Sequence, residues 1–319
     1  MPKTQDTNGE VKKASQHIAV LKRQVLSLLG PKEGQSYLDV TAGYGGHAKV
    51  ILEHTLSLER AVLVDRDSQA VDELKKLFGK GTKVIHSDFW SASKELLSQN
   101  QRFDMIFADL GMSSLHIDSP HRGFAINQPG PLDMRMDQRQ EFSADTIVNK
   151  SSETELVEIL RCFGQEPKAR EIARRIVSAR PIGSTQQLAA VAAKAWPGHS
   201  KVHPATRTFQ AIRIAVNQEL LQLERSLPLW LKMLTPGGRL AVISFHSLED
   251  RLVKQFMAEN ARSGYEAELK LLTKKPVMAK PNEIVSNPRA RSARLRAAVK
   301  IKTKIERVKG KSYAYQGNG

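Results

Sequence analysis

The segment Tyr37 to Ala48, YLDVTAGYGGHA, reads as a buried strand that carries Asp39 and opens directly into a glycine turn. A chain that passes from strand to helix within so few residues belongs in a sheet covered by helices. Gly43, Gly45 and Gly46 permit a tight turn and a close backbone approach to a ligand, while the helix that follows aims free N–H groups at an anionic group. Two cofactor classes use such a device. The spacing Gly43-x-Gly45-x-x-Ala48 satisfies the dinucleotide pattern, and Asp65 ends a second strand, RAVLVD, where a ribose-binding acid belongs. Asp39 separates the two. An acid at the mouth of the first strand suits the ammonium and sulfonium of S-adenosyl-L-methionine and repels the pyrophosphate of a nicotinamide dinucleotide. The methyl donor is therefore the favoured reading, with the dinucleotide as rival and a ligand-free turn as the bland alternative.

Strands and helical patterns then alternate at the spacing of a parallel sheet with crossover helices. After SYLDVTA and RAVLVD come KVIHSDF (83–89), FDMIFADL (103–110) and, much later, GRLAVISF (238–245). More than a hundred residues separate the last two, with helical patterns such as SETELVEILRCFG and TQQLAAVAAKAW, too long a stretch for a loop inside one compact domain. The expected division is a lead-in over 1–15, a sheet domain over 16–120 and 213–305, an inserted helical domain over 121–212, and a basic tail over 306–319. FQAIRIAVNQELLQLERSLPLWLKML returns to the sheet as one or two long helices. ELKLLTKK and SARLRAAVKIK form a final pair of strands.

The fourth strand ends Asp109-Leu110-Gly111-Met112-Ser113-Ser114. In doubly wound folds ligands sit at the carboxyl ends of strands, which places Asp109 in the cleft with Gly45 and Asp65. Methylating the exocyclic amine of a base is hard because the nitrogen lone pair is delocalised into the ring. A carboxylate with hydroxyls such as Ser113 beside it accepts the N–H bonds and helps the nitrogen rehybridise. The alternative is that Asp109 caps the next turn. Ser247, three residues before Asp250, reads as a helix capping box, with His246 beside it as a cleft candidate. Asp133 and Asp137 flank Arg135, a pattern that favours a local ion-pair network over a metal pair.

Forty-nine Lys and Arg against 33 Asp and Glu give a net charge of +16, which points to a polyanionic partner, first of all nucleic acid. No apolar run approaches a membrane span, and no secretory or transit pattern opens the chain. The single cysteine, Cys162, excludes an internal disulfide or a Cys-based zinc site, and its setting in LRCF reads as core packing. Basic residues at one parity, Arg294, Arg296, Lys300, Lys302 and Lys304, would line one face of a strand and track phosphates, unless they only protect an exposed edge. Arg170, Arg174, Arg175, His203, Arg207 and Arg213 are spaced to form a basic helical wall.

The strings AGYGGHA, DLGMSS, RGFAINQPGPLDMRMD, HPATRTFQAIRIAVNQEL, PGGRLAVISFHSLEDR and NPRARSARLRA, in this order from about His17 to Ala298, closely resemble the RsmH (MraW) family. The resemblance implies an α/β class I methyltransferase fold, Rossmann-like with a mostly parallel doubly wound sheet and an inserted all-helical domain. It implies S-adenosylmethionine-dependent methylation of the 4-amino group of a cytosine in small-subunit ribosomal RNA. Cofactor contacts would fall at Gly45, Gly46, His47, Asp65, Phe89 and Asp109, and at His116, where the family commonly has Gln. Asp88 would take the adenine amine. Ala19 replaces a proline usual in the family, and the segment before NPRARS is short.

The sequence thus predicts a cytoplasmic rRNA (cytosine-N4-)-methyltransferase with no metal and no membrane association, acting as monomer or homodimer on small-subunit ribosomal RNA or the small subunit. Asp109, Ser113 and His246 carry the chemistry. Asp39, Gly43, Gly45, Gly46, His47, Asp65, Asp88, Phe89, Asp109 and His116 hold the cofactor, and Arg207, Arg213, Arg294 and Arg296 meet RNA. An RNA-binding ribosome-assembly factor without catalysis and a nicotinamide-dependent oxidoreductase are the alternatives.

Overall fold

The computed structural model describes residues 19–112, 119–198, 202–262, 264 and 266–301. The lead-in over 1–15, the tail over 306–319, Lys302, Lys304, Ser113 and His116 lie outside them.

Five parallel strands, β1 (Tyr37–Asp39), β2 (Ala61–Asp65), β3 (Lys83–His86), β4 (Phe103–Asp109) and β5 (Leu234–Ser244), join an antiparallel pair, β6 (Leu269–Leu271) and β7 (Arg294–Lys300). The sheet runs β3-β2-β1-β4-β5-β7-β6. Alternate residues of each strand feed two cores, as the two-residue period of a pleat requires. Leu38, Ile106, Ala108 and Val242 face one side with α4 (Phe89–Ser98), α10 (Glu219–Met233) and α11 (Ser247–Asn260). Tyr37, Met105, Phe107 and Ile243 face the other with α1 (Lys22–Leu29), α2 (Gly46–Thr55) and α3 (Ser68–Phe78). The sheet is doubly wound, and strand order reverses between β1 and β4, the place where such folds open a ligand crevice.

Between β4 and β5 the chain builds a helical layer: α5 (Ala144–Lys150), α6 (Glu153–Gly164), α7 (Ala169–Ser178), α8 (Thr185–Ala193) and α9 (Thr206–Asn217). It has its own core, in which Leu156, Leu160, Ile172, Ile176, Leu188, Phe209 and Ile212 are buried. Gly164 of α6 is required there, because a Cβ would lie 2.7 Å from the Arg207 carbonyl oxygen on α9. The same core includes Val216, so α9 packs with this layer beyond residue 212. Gln218 at φ 51° then breaks the chain into α10. A buried bridge ties the layer to the sheet: Arg122 Nη1 donates to Asp67 Oδ2 at 2.9 Å, and its Nη2 donates to the carbonyls of Arg135 and Met136. Asp67 also caps α3 by accepting from Gln69 N–H.

Several sequence expectations change here. The third strand stops at His86; Asp88 is the N-cap of α4 and accepts from Ser91 N–H, so its side chain serves the helix start. Within the basic parity pattern, Arg296 and Lys300 are buried and do not form an exposed basic stripe. β7 lies between β5 and β6 and is buried. Arg296 pairs bidentately with Asp250, and Lys300 Nζ donates to the carbonyls of Leu231 and Leu234. These cations fasten helices to the sheet, with Arg294 half-exposed 3.6 Å from Asp250. Cys162 is exposed rather than core, because α6 buries Leu156, Leu160 and Gly164 and turns Cys162 outward. The aspartates of LDMRMD pair separately, Asp133 with Arg135 and Asp137 with Arg139.

Candidate active site

A cleft of about 400 Å³ opens at the carboxyl ends of β1, β2, β4 and β5, roofed by the helical layer. That volume suits a small-molecule site. Its floor is the glycine turn. Gly43 sits at φ 52° and Gly45 at φ 79°, conformations with no steric cost only for glycine. A Cβ on Gly45 would stand 2.9 Å from Leu77 and from Phe78, so packing against α3 requires glycine there, and its neighbours Tyr44 and Gly46 line the cleft. Gly43, Gly46 and His47 do line the cleft.

Three carboxylates face this floor. Asp65, at the end of β2, accepts from Gly43 N–H at 2.7 Å and from Asp67 N–H at 2.9 Å, so it fixes the turn as well as lining the site. Asp39 is 1% exposed. Burial pushes its carboxyl up to about 7, against the lowering hydrogen bonds from Tyr37 and Thr41. Asp109 lies with Oδ2 3.6 Å from His47 Nε2, and its Oδ1 is buried with no hydrogen-bond partner among the described residues. Burial, then the nearby Asp39 and Glu249, holds its carboxyl well above the usual carboxylate range. Thr41 Oγ1 accepts from Asp109 N–H, which ties the end of β4 to the turn after β1. Phe89 lines the cleft and meets Trp230 edge-on, at 5.7 Å between ring centroids.

The wall opposite was poorly legible in the sequence. His246, not Ser247, is the N-cap of α11: its Nδ1 accepts from Glu249 N–H while Glu249 Oε2 accepts from Phe245 and His246 N–H. Ser247 Oγ donates to Gln165 Oε1 instead. With Nδ1 used as an acceptor, the ring proton belongs on Nε2, 3.2 Å from Glu249 Oε1. Nε2 is buried without a well-aligned hydrogen-bond partner among the described residues, so His246 lines the cleft as a candidate for the chemistry. Glu249 is 2% exposed; burial raises its carboxyl, but the His246 and Arg213 contacts outweigh burial and hold it below the usual range. Arg213 is not on an outer basic wall but in the cleft lining, with Nε and Nη2 on the two Glu219 oxygens at 2.9 Å each. Glu219, His246 and Glu249 bring one ligand atom each within 4.8 Å of one another, yet a metal ion would have to displace Arg213 from Glu219. Arg207 stays exposed on α9.

A doubly wound sheet with this strand order, a glycine turn after β1, an acid ending β2 and an acid ending β4 defines a class I S-adenosylmethionine-dependent methyltransferase. The cleft fits that cofactor: a cationic ligand meets three carboxyl groups, one of which presents a buried oxygen without a hydrogen-bond partner among the described residues. The chain belongs to the MraW methylase family, whose model matches residues 14–301. It is 46% identical over 290 residues to the ribosomal RNA small subunit methyltransferase H of Trichormus variabilis, covering 89% of this chain and 92% of that protein. Proteins of the same name from Trichodesmium erythraeum, at 44% with 89% and 99% covered, and Acidobacterium capsulatum, at 43% with 89% and 98% covered, are also similar. A solved structure of a putative rRNA methylase from Clostridium thermocellum overlays with a TM-score of 0.45 at 11% identity, covering 89% of this chain and 99% of that one, too loosely to bear on function.

Proposed function

We propose that this protein transfers a methyl group from S-adenosylmethionine to the exocyclic 4-amino group of a cytosine in small-subunit ribosomal RNA. The observation that carries the reading is Asp109: at the end of β4, between the cofactor turn and the wall of α9 and α11, it presents a buried Oδ1 with no hydrogen-bond partner among the described residues. When bound, S-adenosylmethionine would supply an electrophilic methyl to the amine nitrogen, with the thioether as leaving group and the amine proton passing to solvent water. Asp65 would hold the ribose, Phe89 would lie beside the adenine, and Asp39 with the N-terminus of α2 would face the amino-acid end. Asp109 would accept an amine N–H and orient the lone pair for in-line attack. The base must be splayed out of its strand to reach this depth. The helical layer, with exposed Arg170, Arg174 and Arg207, would meet the RNA backbone, and the setting would be a reducing cytoplasm. No helix among the described residues is long and apolar enough to cross a membrane.

Tritiated-methyl transfer to small-subunit RNA, followed by nucleoside digestion, tests the reading. Label on N4-methylcytosine supports it; label on carbon 5, or no label, overturns it.

A further inference from the structure

The cleft has two halves that meet at Asp109. The glycine turn, Asp65 and Phe89 line one; the other is walled by α9 and the turn into α11. Along α9, Thr206, Phe209, Gln210 and Arg213 all line the cleft, at the spacing i, i+3, i+4, i+7 that puts residues on one helical face. Within this stripe Gln210 already donates to the Phe163 carbonyl, and Phe209 is 5% exposed in the helical core. Arg213 is the charged member. Glu219 grips one edge of its guanidinium through Nε and Nη2, so the plane of the fork is fixed, and Nη1 has no protein partner among the described residues. Two other arginines line the cleft. Arg66 has its Nη groups committed to the Asn217 carbonyl and Gln222 Oε1 at the join with the helical layer, and Arg289 comes from the turn Pro288–Ser292 before β7.

Cytosine presents an amine donor next to the ring acceptor N3. A carboxyl acceptor and a guanidinium donor lining the same cleft match that pair, whereas uracil, with O4 and N3–H, reverses both contacts. We infer that Arg213, held in plane by Glu219, donates to N3 of the target cytosine while Asp109 accepts from its amine, making Arg213 a residue that determines base specificity. This rests on the proposed function. The Glu219 grip supplies the preorganisation: a free arginine would lose rotamer entropy on meeting the base, and this one is already ordered.

The test compares substrate RNA carrying cytosine with the same RNA carrying 3-deazacytosine at the target, which keeps the amine but replaces N3 with C–H. Wild-type enzyme should methylate the deaza substrate with kcat/KM lower by tenfold or more, of the order of one lost base contact. In Arg213→Met the penalty should shrink to within about twofold, and Arg213→Lys should restore part of it. A role confined to pairing with Glu219 would change overall activity and leave the cytosine-to-deaza ratio as in wild type. Calorimetry with S-adenosylmethionine checks that each variant retains the cofactor half of the site. If Arg213→Met is too unstable to assay, a ratio in Arg213→Lys below the wild-type ratio supports the inference and an equal ratio overturns it. No penalty in wild-type enzyme also overturns it. Absence of any methylation of the cytosine substrate by wild-type enzyme would instead count against the function on which it rests.

Discussion

The Tyr37 hydroxyl donates to Asp39 Oδ2 at 2.7 Å, two positions along the same face of β1, so the buried acid at the cofactor mouth has its anionic form half-provided for by its own strand. The residual cost of burial still holds Asp39 near 7. Because the folded value lies above the unfolded one, the native state binds more protons than the unfolded chain between about pH 4 and 7, and stability falls as pH rises through that window. From this group the loss is at most about 4 kcal/mol. Asp39→Asn should flatten that part of the stability profile in denaturant titrations at several pH values; an unaltered slope would remove Asp39 as its source.

The same carboxyl links binding to protons. Near pH 7 a cationic ligand favours the ionised form, so S-adenosylmethionine binding should release about half a proton from Asp39. Calorimetry in buffers of different ionisation enthalpy measures this, and Asp39→Asn should abolish it. A buffer-independent enthalpy in the wild type would show that Asp39 does not face the cation.

Asp109→Asn replaces one carboxyl oxygen with an amide donor and should lower turnover about 100-fold or more, the range for removing one preorganised electrostatic group. Cys162 is exposed on α6. Cys162→Ser should keep nearly full activity, since amine methylation needs no thiol nucleophile. Loss of activity in folded Cys162→Ser together with full activity in Asp109→Asn would reverse the assignment.

Asp65→Ala should weaken S-adenosylmethionine binding by roughly 1.5–3 kcal/mol, the scale of a hydrogen bond to a charged group. Since Asp65 also holds Gly43 N–H, Asp65→Asn serves as the control that keeps one acceptor on the turn. Equal affinity in wild type and Asp65→Ala would rule out a ribose contact.

Arg122 and Asp67 are 3% and 5% exposed, a pair that joins the helical layer to the loop after β2. Removing the guanidinium leaves a buried carboxylate without its counter-ion, so Arg122→Met should cost about 3–5 kcal/mol, and adding Asp67→Asn should return part of it. Additive costs in the double variant would show that the two residues are not coupled.

Arg296 and Lys300 separate structure from RNA contact. Arg296→Met should lower the melting temperature and leave the salt dependence of RNA binding unchanged. Arg207→Gln should flatten the log–log salt slope by roughly 0.7–0.9, the value for one phosphate contact. A flatter slope in Arg296→Met would return β7 to the RNA surface.

The sheet and the cofactor turn were legible because they rest on local signals: apolar strands ending in Asp39, Asp65 and Asp109, and glycines at positive φ. The opposite wall was not, because its parts are far apart in sequence and each reads differently alone. Arg213 looked like one more surface cation, and only the α9–α10 break at Gln218 turns it onto Glu219. Likewise a basic residue at strand parity reads as an exposed stripe until β6 covers β7 and Asp250 arrives from α11. Ser247 misled for a smaller reason: a histidine ring nitrogen can do the work of a capping hydroxyl one residue earlier.

β4 hydrogen-bonds on one side to β1 and on the other to β5, and β5 begins at Leu234, more than a hundred residues further on. During synthesis at about 5–20 residues per second, the growing chain must therefore wait roughly 6–25 seconds before the second flank of β4 can be covered. For that interval a strand as apolar as Phe103–Ala108 presents an open edge, the configuration most prone to pairing with a neighbour. The intervening helices pack a core of their own and can form before that permanent partner emerges, so the edge waits on β5 rather than on them.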